Sequence, residues 1–291
     1  MIKKFLPVVL AVFIITAVSC RELSRTNPYD PAAENYIGIT YYGEVLYPAD
    51  LTIKKMLYIQ DELIFAGKKN SVHGIVKGVS GTARGGFDAI YDICPDSTGK
   101  IYAVHNESSV AVMDTAGFFS EFVISADPGD KRMYIEHIDS HIFISSENES
   151  VIEKYSLSGA PAGAVNITAT AEGYFKPGRL FTNGEFLYTV NILDKKQVMR
   201  LNSDLTFNML IELSFEVKDG EKRGDRLQLL SVSGIKTADY SLNIEKTWGD
   251  FGEGPGRILN GSLIAVDESA DPGVEAHTYV LDSGTLKKFG E

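Results

Sequence analysis

The chain has 291 residues, of which 44% are hydrophobic and 23% charged, and this composition excludes a wholly disordered protein. Its formal net charge of −11 at pH 7 argues against nucleic acid as a partner, because a groove for nucleic acid needs a basic surface. Twenty-seven glycines and an aromatic content of 10% favour a turn-rich β protein.

The first twenty residues have the pattern of a bacterial lipoprotein signal. Lys3 and Lys4 precede an apolar run that is shorter than the ~20 residues of a membrane-spanning helix. The segment Ala-Val-Ser-Cys at 17–20 resembles a lipoprotein cleavage box, which implies that Cys20 carries the lipid. We therefore predict a signal peptide at 1–19 and a lipidated Cys20 at the head of a flexible tether, 20–34. Because Arg21 follows the cysteine, we expect an extracytoplasmic protein anchored in the bacterial cell envelope, at the outer membrane rather than the inner one.

The remaining cysteine, Cys94, has no second thiol to pair with once Cys20 is lipidated. It lies in the apolar stretch IYDICPD, where no cationic neighbour activates it. We predict that Cys94 is a small buried residue without chemical function.

A short pattern recurs along the rest of the chain about every 43 residues. It consists of an aliphatic residue or threonine, an aromatic residue and two small or apolar residues, and a polar turn follows it. Copies begin at Ile64, Ile101, Ile142, Leu187 and Thr278, and a degenerate copy is assigned to Ile235. Because four-stranded blades repeat every ~40–50 residues, the spacing predicts an all-β, six-bladed β-propeller of antiparallel blades over residues 35–291.

The last repeat contains only three strands, at 263–267, 278–281 and 285–289. A further strand at 36–42 precedes the first repeat and has no partner within it. Pairing these two regions completes the last blade and covers a sheet edge that would otherwise be open. We therefore predict that an N-terminal strand closes the ring.

The C-terminal repeat resembles the NHL repeat. The matching segments are Trp248-Gly249, Gly252–Gly256, Ile264–Asp267, Tyr279–Gly284 and Lys288-Phe289. This resemblance implies a six-bladed propeller, which is usually a binding scaffold and only sometimes an enzyme, and it transfers no catalytic residue.

Basic residues recur near the predicted connections from the outermost strand, d, of one blade to the innermost strand, a, of the next. They are Lys54, Lys55, Arg84, Arg132, Arg179, Arg226 and Arg257. If the arginines share one rim, they form a ligand-binding mouth for an anionic group on an otherwise acidic protein. The alternative interpretation is that they connect neighbouring blades through buried hydrogen bonds.

The alternative function is that of a hydrolase with Ca²⁺ in the channel, because some six-bladed propellers that resemble lactonases hold this ion with oxygen ligands. The candidate ligands are Asp61, Asp92, Asp139, Asp267 and Asn183, but most are placed at turns, and no blade shows an acid aimed at the channel in an evident ligand pattern. We therefore expect a non-catalytic scaffold without a cofactor. Its expected partners are the membrane, through the lipid, and an envelope protein, a peptide or an anionic glycan.

Overall fold

The computed structural model describes residues 39–47, 50–78, 81–124, 131–146, 150–167, 174–232, 234–249, 256–267 and 276–290. The predicted signal peptide, Cys20 and the tether lie outside these residues. The side chain of Arg132 and most of the segment Gly252–Gly256 lie outside them as well. No helix in the described ranges has the length and apolar character needed to cross a membrane.

The described residues form six four-stranded antiparallel sheets, each of which is one blade. Blade 1 contains β2 (Leu51–Ile59), β3 (Glu62–Lys69), β4 (Val72–Lys77) and β5 (Arg84–Phe87). Blade 2 contains β6 (Ile90–Pro95), β7 (Ile101–His105), β8 (Ser109–Met113) and β9 (Phe119–Val123). Blade 3 contains β10 (Arg132–Ile138), β11 (His141–Ser146), β12 (Val151–Ser156) and β13 (Pro161–Asn166).

The second half of the ring repeats this arrangement. Blade 4 contains β14 (Pro177–Thr182), β15 (Phe186–Asn191), β16 (Gln197–Asn202) and β17 (Phe207–Glu212). Blade 5 contains β18 (Asp219–Arg223), β19 (Arg226–Ser231), β20 (Gly234–Ala238) and β21 (Ile244–Trp248). Blade 6 contains β22 (Gly261–Val266), β23 (His277–Asp282), β24 (Thr285–Gly290) and β1 (Thr40–Val45).

The N-terminal strand completes the last blade, as the sequence predicted. β1 pairs antiparallel with β24, and the pairing places Tyr41 opposite Phe289. The described strand is Thr40–Val45; residues 36–38 of the predicted strand lie outside the described residues, and the pairing continues past the predicted end at 42 to Val45. The innermost strands β2, β6, β10, β14, β18 and β22 each contact the innermost strands of both neighbouring blades, so the ring is closed.

The apolar core is divided among the interfaces between blades. In the described chain, six hydrophobic clusters each combine residues of two adjacent blades. Between blades 5 and 6, for example, the Trp248 ring packs edge-on against Phe289 at a centroid distance of 5.1 Å. Because each sheet buries both faces against its neighbours, the blades stabilise one another.

The prediction that Ile235 begins the second strand of blade 5 is wrong. Ile235 lies in the third strand, β20, and the second strand is β19. In the other five blades an aromatic residue stands at the second position of the repeat, but Gln228 stands there in β19. Gln228 is fully buried and accepts a hydrogen bond from Thr278 Oγ1 of blade 6 at 2.7 Å. A buried hydrogen bond therefore takes the place of the aromatic residue, and the repeat of blade 5 cannot be recognised from the sequence pattern.

Two faces of the ring are distinguished below. The a–b face carries the turns between the first and second strands of each blade, where the innermost strands end. The d–a face carries the connections between blades, where the innermost strands begin.

Candidate functional site

Charged side chains from five innermost strands meet in the central channel. They belong to blades 1 to 5 and comprise two cations and four acids: Lys55, Arg179, Asp92, Glu136, Asp219 and Glu221. Proteins bury unpaired charges only at high cost, so these groups must neutralise one another or interact with a ligand.

Irregularities in the innermost strands help to direct these side chains. The register of β2 shifts between Ile53 and Lys55, and that of β6 shifts between Ile90 and Asp92. A β-bulge inserts one residue and changes which side chains face a given side of the sheet. In blade 5, Gly220 separates the two inward acids, and an added Cβ there would lie 2.9 Å from Phe181 Cγ. The absence of a side chain at Gly220 therefore lets β18 pack closely against blade 4.

Asp219 is the centre of the network. Its carboxylate is fully buried and accepts hydrogen bonds from Lys55 Nζ at 3.2 Å, Gly220 N at 3.1 Å and Ile264 N at 3.2 Å. Lys55 Nζ also donates to Glu221 Oε1 at 2.6 Å. Burial alone lowers the pKa of Lys55, but these two carboxylates outweigh burial and raise it, so the ammonium stays charged. The network joins blades 1, 5 and 6.

Arg179 extends the network to blade 2. Its Nη1 lies 3.4 Å from Asp92 Oδ1, and its Nε lies 3.6 Å from Asp219 Oδ1. The guanidinium also lies over the Tyr134 ring, 5.1 Å from its centroid. Asp92 Oδ2 accepts a hydrogen bond from Ile135 N of blade 3 at 3.2 Å. This arrangement fits the alternative interpretation of the basic residues, since Arg179 connects blades 2, 4 and 5.

On the a–b face, the channel opens into a funnel with a volume of about 500 Å³. Its floor contains Lys55, Glu136 and Glu221, and Cys94 also lines it. Burial, reinforced by the carboxylate of Glu221, raises the pKa of Glu136 to about 8. Burial likewise raises the pKa of Glu221 to about 7, although Lys55 opposes the shift. Glu136 therefore holds a proton at neutral pH, and its carboxyl group both donates and accepts hydrogen bonds.

The wall and mouth of the funnel combine apolar and polar side chains. The residues that line these parts include Tyr58, Ile59, Asp96, Ser97, His137, Asp139 and Lys222. The Asp96 carboxylate accepts hydrogen bonds from Thr98 and from Lys100 N, which lower its pKa although burial acts against them. The lining of the funnel thus combines apolar side chains with many polar and charged ones, and such a concave surface suits a small polar ligand.

On the d–a face lies a second, smaller cavity of about 240 Å³. Its lining comprises Tyr134, Arg179, Val190, Ile192, Lys195, Val217, Lys218 and Ser262. We call this cavity the basic mouth. The Asp92–Arg179–Asp219–Lys55 network lies between the basic mouth and the funnel.

The basic residues expected to share one rim do not all lie on it. Arg179 lines the basic mouth, but Arg84 is exposed on an outermost strand, β5, and Arg257 is exposed ahead of β22. Lys54 is exposed, and Lys55 is buried in the network. Arg132 is the first residue of β10, and its side chain lies outside the described part of the chain.

The expected position of Arg226 is wrong, because it begins the second strand of blade 5 rather than preceding the first. It forms ion pairs with Asp225 at 2.7 Å and Glu245 at 2.5 Å. This error has the same cause as the displaced repeat in blade 5.

Acidic side chains do lie in the channel, although the sequence shows no ligand pattern for them. Of the predicted candidates, Asp92 lies in the network, whereas Asp61 and Asp139 occupy turns with φ of 61° and 55°. Asn183 caps its turn by accepting hydrogen bonds from the backbone N–H groups of Glu185 and Phe186. Asp267 lies after β22, with its carboxylate 3.6 Å from His277 Nδ1.

The sequence analysis did not identify Glu136, Asp219 and Glu221 as channel residues. For Glu136 there was a usable signal, because it is the one acid within the apolar segment MYIEHI.

The channel residues do not suit Ca²⁺. The Lys55 ammonium lies between the carboxylates of Asp219 and Glu221, where a bound cation would need its ligands. Within the described ranges, no three His, Cys, Asp or Glu side chains are arranged to hold a metal ion. Cys94 is 2% exposed and packs between blades 2 and 3, and burial raises the pKa of its thiol.

No family model matches the chain, and no curated protein is significantly similar to it in sequence.

Among solved structures, a catalytically inactive variant of virginiamycin B lyase from Staphylococcus aureus with quinupristin is similar in fold. It is 10% identical and has a TM-score of 0.60, and the match covers 87% of this chain and 99% of the lyase chain. The WD40 domain of Neurospora crassa Pan2 has a TM-score of 0.53 and 12% identity, and the match covers 82% of this chain and 74% of that one. A chain of a nidogen/laminin complex also has a TM-score of 0.53, with 14% identity and coverages of 68% and 80%. At these identities the similarities establish a β-propeller fold and nothing about its use, since propellers serve as enzymes and as binding domains.

Proposed function

We propose that this protein is a lipid-anchored binding propeller of the bacterial cell envelope, and that it holds a small polar ligand non-covalently in the funnel. The observation that carries the proposal is the funnel floor, where Glu136 and the Lys55–Glu221 pair border a cavity of about 500 Å³. Glu136 accepts a hydrogen bond from its neighbour's backbone, His137 N, at 2.8 Å. Its carboxyl group therefore has further hydrogen-bonding capacity that a ligand satisfies.

A channel hydrolase that depends on Ca²⁺ is the less favoured function. The positive charge of Lys55 takes the place of a metal ion, and its two hydrogen bonds occupy oxygens that a metal would require. The likeness to a lyase concerns the fold alone. We therefore favour binding over catalysis.

The funnel proposal is tested by comparing variants at its mouth and away from it. Ser97→Trp places a large side chain at the exposed mouth, whereas Ser158→Trp places the same side chain at an exposed turn outside the funnel. A panel of sugars, amines, amino acids and short peptides is screened by thermal shift and calorimetry. We expect a compound that binds the wild-type protein and Ser158→Trp but not Ser97→Trp. A saturable, Ca²⁺-dependent hydrolysis of lactones that Glu221→Gln abolishes would instead establish the hydrolase.

Two further parts of the proposal come from the sequence. The C-terminal blade is proposed to be of the NHL type, which is supported by the resemblance of Ile264–Asp267, Tyr279–Gly284 and Lys288-Phe289 to that repeat. The anchor is the lipid on Cys20, which is supported by the signal-like segment before it. Cys20→Ser should leave the protein unprocessed or soluble, as measured by detergent partitioning. Unchanged partitioning would refute the anchor.

A further inference from the structure

We propose that the basic mouth on the d–a face is a second binding site, and that its ligand is a small oxyanion bearing a carboxylate or phosphate group. The site is distinct from the funnel, because the Asp92–Arg179–Asp219–Lys55 network separates the two cavities.

The first argument is the charge of the lining. Three of the described residues that line this cavity are cations, namely Arg179, Lys195 and Lys218. No described lining residue is an acid. This composition is unexpected in a protein with 39 acidic and 28 basic residues. A concave surface lined by charges of one sign concentrates the opposite ion.

The second argument is the state of Lys218. Its Nζ donates to Asn260 Oδ1 at 2.8 Å and to Gly261 O at 3.0 Å, so neutral acceptors hold it in place. An ammonium has three N–H donors, and these two contacts leave one for a ligand. Burial lowers the pKa of Lys218, and the nearby charge of Lys195 lowers it further, although Glu216 and Asp282 act in the opposite direction. An anion between the two lysines would relieve their repulsion.

The third argument concerns Arg179, which closes the inner end of the cavity. The Arg179 side chain is 16% exposed and is oriented by Asp92, Asp219 and the Tyr134 ring. A guanidinium has five N–H donors in a fixed plane, and such a group recognises carboxylate and phosphate oxygens well when it is held rigidly. The volume of about 240 Å³ limits the ligand to a small molecule or to one end group of a larger one.

The experiment uses the full chain in detergent and measures binding calorimetrically, with inorganic phosphate in one arm and succinate in the other. Lys195→Met and Lys218→Met each remove one cation from the lining. The matched control is Lys196→Met, since Lys196 is exposed beside Lys195 but does not line the cavity. We expect each lining variant to bind about tenfold more weakly and the control to bind like the wild type. Affinity should also fall between about 50 and 300 mM salt, because the cavity is open to solvent.

The two arms identify the oxyanion, since the tighter ligand indicates which class the cavity accepts. The proposal is overturned if neither anion binds, if both lining variants bind like the wild type, or if Lys196→Met weakens binding equally. Lys195 is exposed, so its removal does not threaten folding, and Lys195→Met keeps the test decisive even if Lys218→Met is unstable.

Discussion

The two ends of the channel differ in charge, although the same innermost strands build both of them. The charged residues that line the funnel are four acids, Glu136 and Glu221 among them, and two lysines, whereas the charged residues that line the basic mouth are the three cations Arg179, Lys195 and Lys218. Blade 5 contributes to both ends, because Lys218 precedes the strand that carries Glu221. The net charge of the protein therefore says little about the charge of a local site, since Lys218 and Glu221, only three residues apart, line cavities at opposite ends of the channel.

The Asp92–Arg179–Asp219–Lys55 network forms a partition between the two ends, and its charged groups are arranged differently from those at either end. In the partition the cations and acids are paired at 3.2–3.6 Å, and both acids, Asp92 and Asp219, are almost fully buried, whereas at either end charged groups face a cavity. Paired buried charges hold the blades in register, and charges at a cavity remain available to a ligand. Three predictions separate these roles.

The largest effect is expected from Asp219→Ala, which breaks the partition. The substitution leaves Lys55 and Arg179 without their shared carboxylate and removes the acceptor for Ile264 N. Removing one partner of a buried ion pair costs about 3–5 kcal/mol, so the free energy of unfolding should fall by that amount in chemical denaturation. The control is Asp225→Ala, because Asp225 has an exposed side chain at a turn. Equal stability of both variants would mean that the partition does not hold the blades together.

A smaller effect is expected from Glu136→Gln, which changes the funnel. The folded protein holds a proton on Glu136 up to a pKa of about 8, whereas the unfolded chain loses it near the ordinary value of 4.5. Between these values the folded state binds more protons, so the wild-type unfolding free energy decreases as pH rises. The glutamine variant should match the wild type near pH 5 and exceed it by roughly 2–3 kcal/mol at pH 7, because each of the two pH units between them costs the wild type about 1.4 kcal/mol.

The pH dependence of Glu136→Gln is compared with that of Glu185→Gln, a substitution at an exposed residue outside the funnel. Glu221 remains in both variants and continues to contribute its own decrease with pH, between the ordinary value of 4.5 and its pKa of about 7. If the glutamine variant retains the full slope of the wild type, Glu136 is not the group that holds the proton.

The smallest effect is expected from Arg226→Ala, a basic residue at neither end of the channel. Arg226 forms exposed ion pairs with Asp225 and Glu245, and exposed pairs contribute little to stability. We expect no measurable change in the unfolding midpoint or in phosphate binding. A loss of anion affinity in this variant would place the anion on the outer surface rather than in the basic mouth.

The repeat spacing was sufficient to predict the ring, because the aromatic residue at the second position of strand b marks five of the six blades. Phe65, Tyr102, Phe143, Tyr188 and Tyr279 occupy this position, and all are buried between blades. The repeat of blade 5 was misplaced because Gln228 makes a hydrogen bond at the position where the other blades have an aromatic ring.

The site was harder to predict than the fold. Lys55 and Asp92 face the channel after register shifts, and a β-bulge cannot be read from a pattern of alternating residues. The pairing of Arg179 with Asp92 and Asp219 joins residues of three blades, and no local sequence pattern encodes such a contact.

The pairing of β1 with β24 also governs the order in which the ring can assemble. Among the described strands, β1 comes first and β24 comes last, so Tyr41 meets Phe289 only after every intervening blade has been synthesised. Contacts between distant residues form slowly, because the entropy of closing a long loop is lost before the contact contributes energy. Until then, blade 6 exposes one unpaired edge and β1 another, and such edges invite pairing with other chains. The pairing of β1 with β24 is therefore the last step of folding and the step most vulnerable to aggregation. The strand that makes this pairing, β1, follows the segment that carries the proposed anchor.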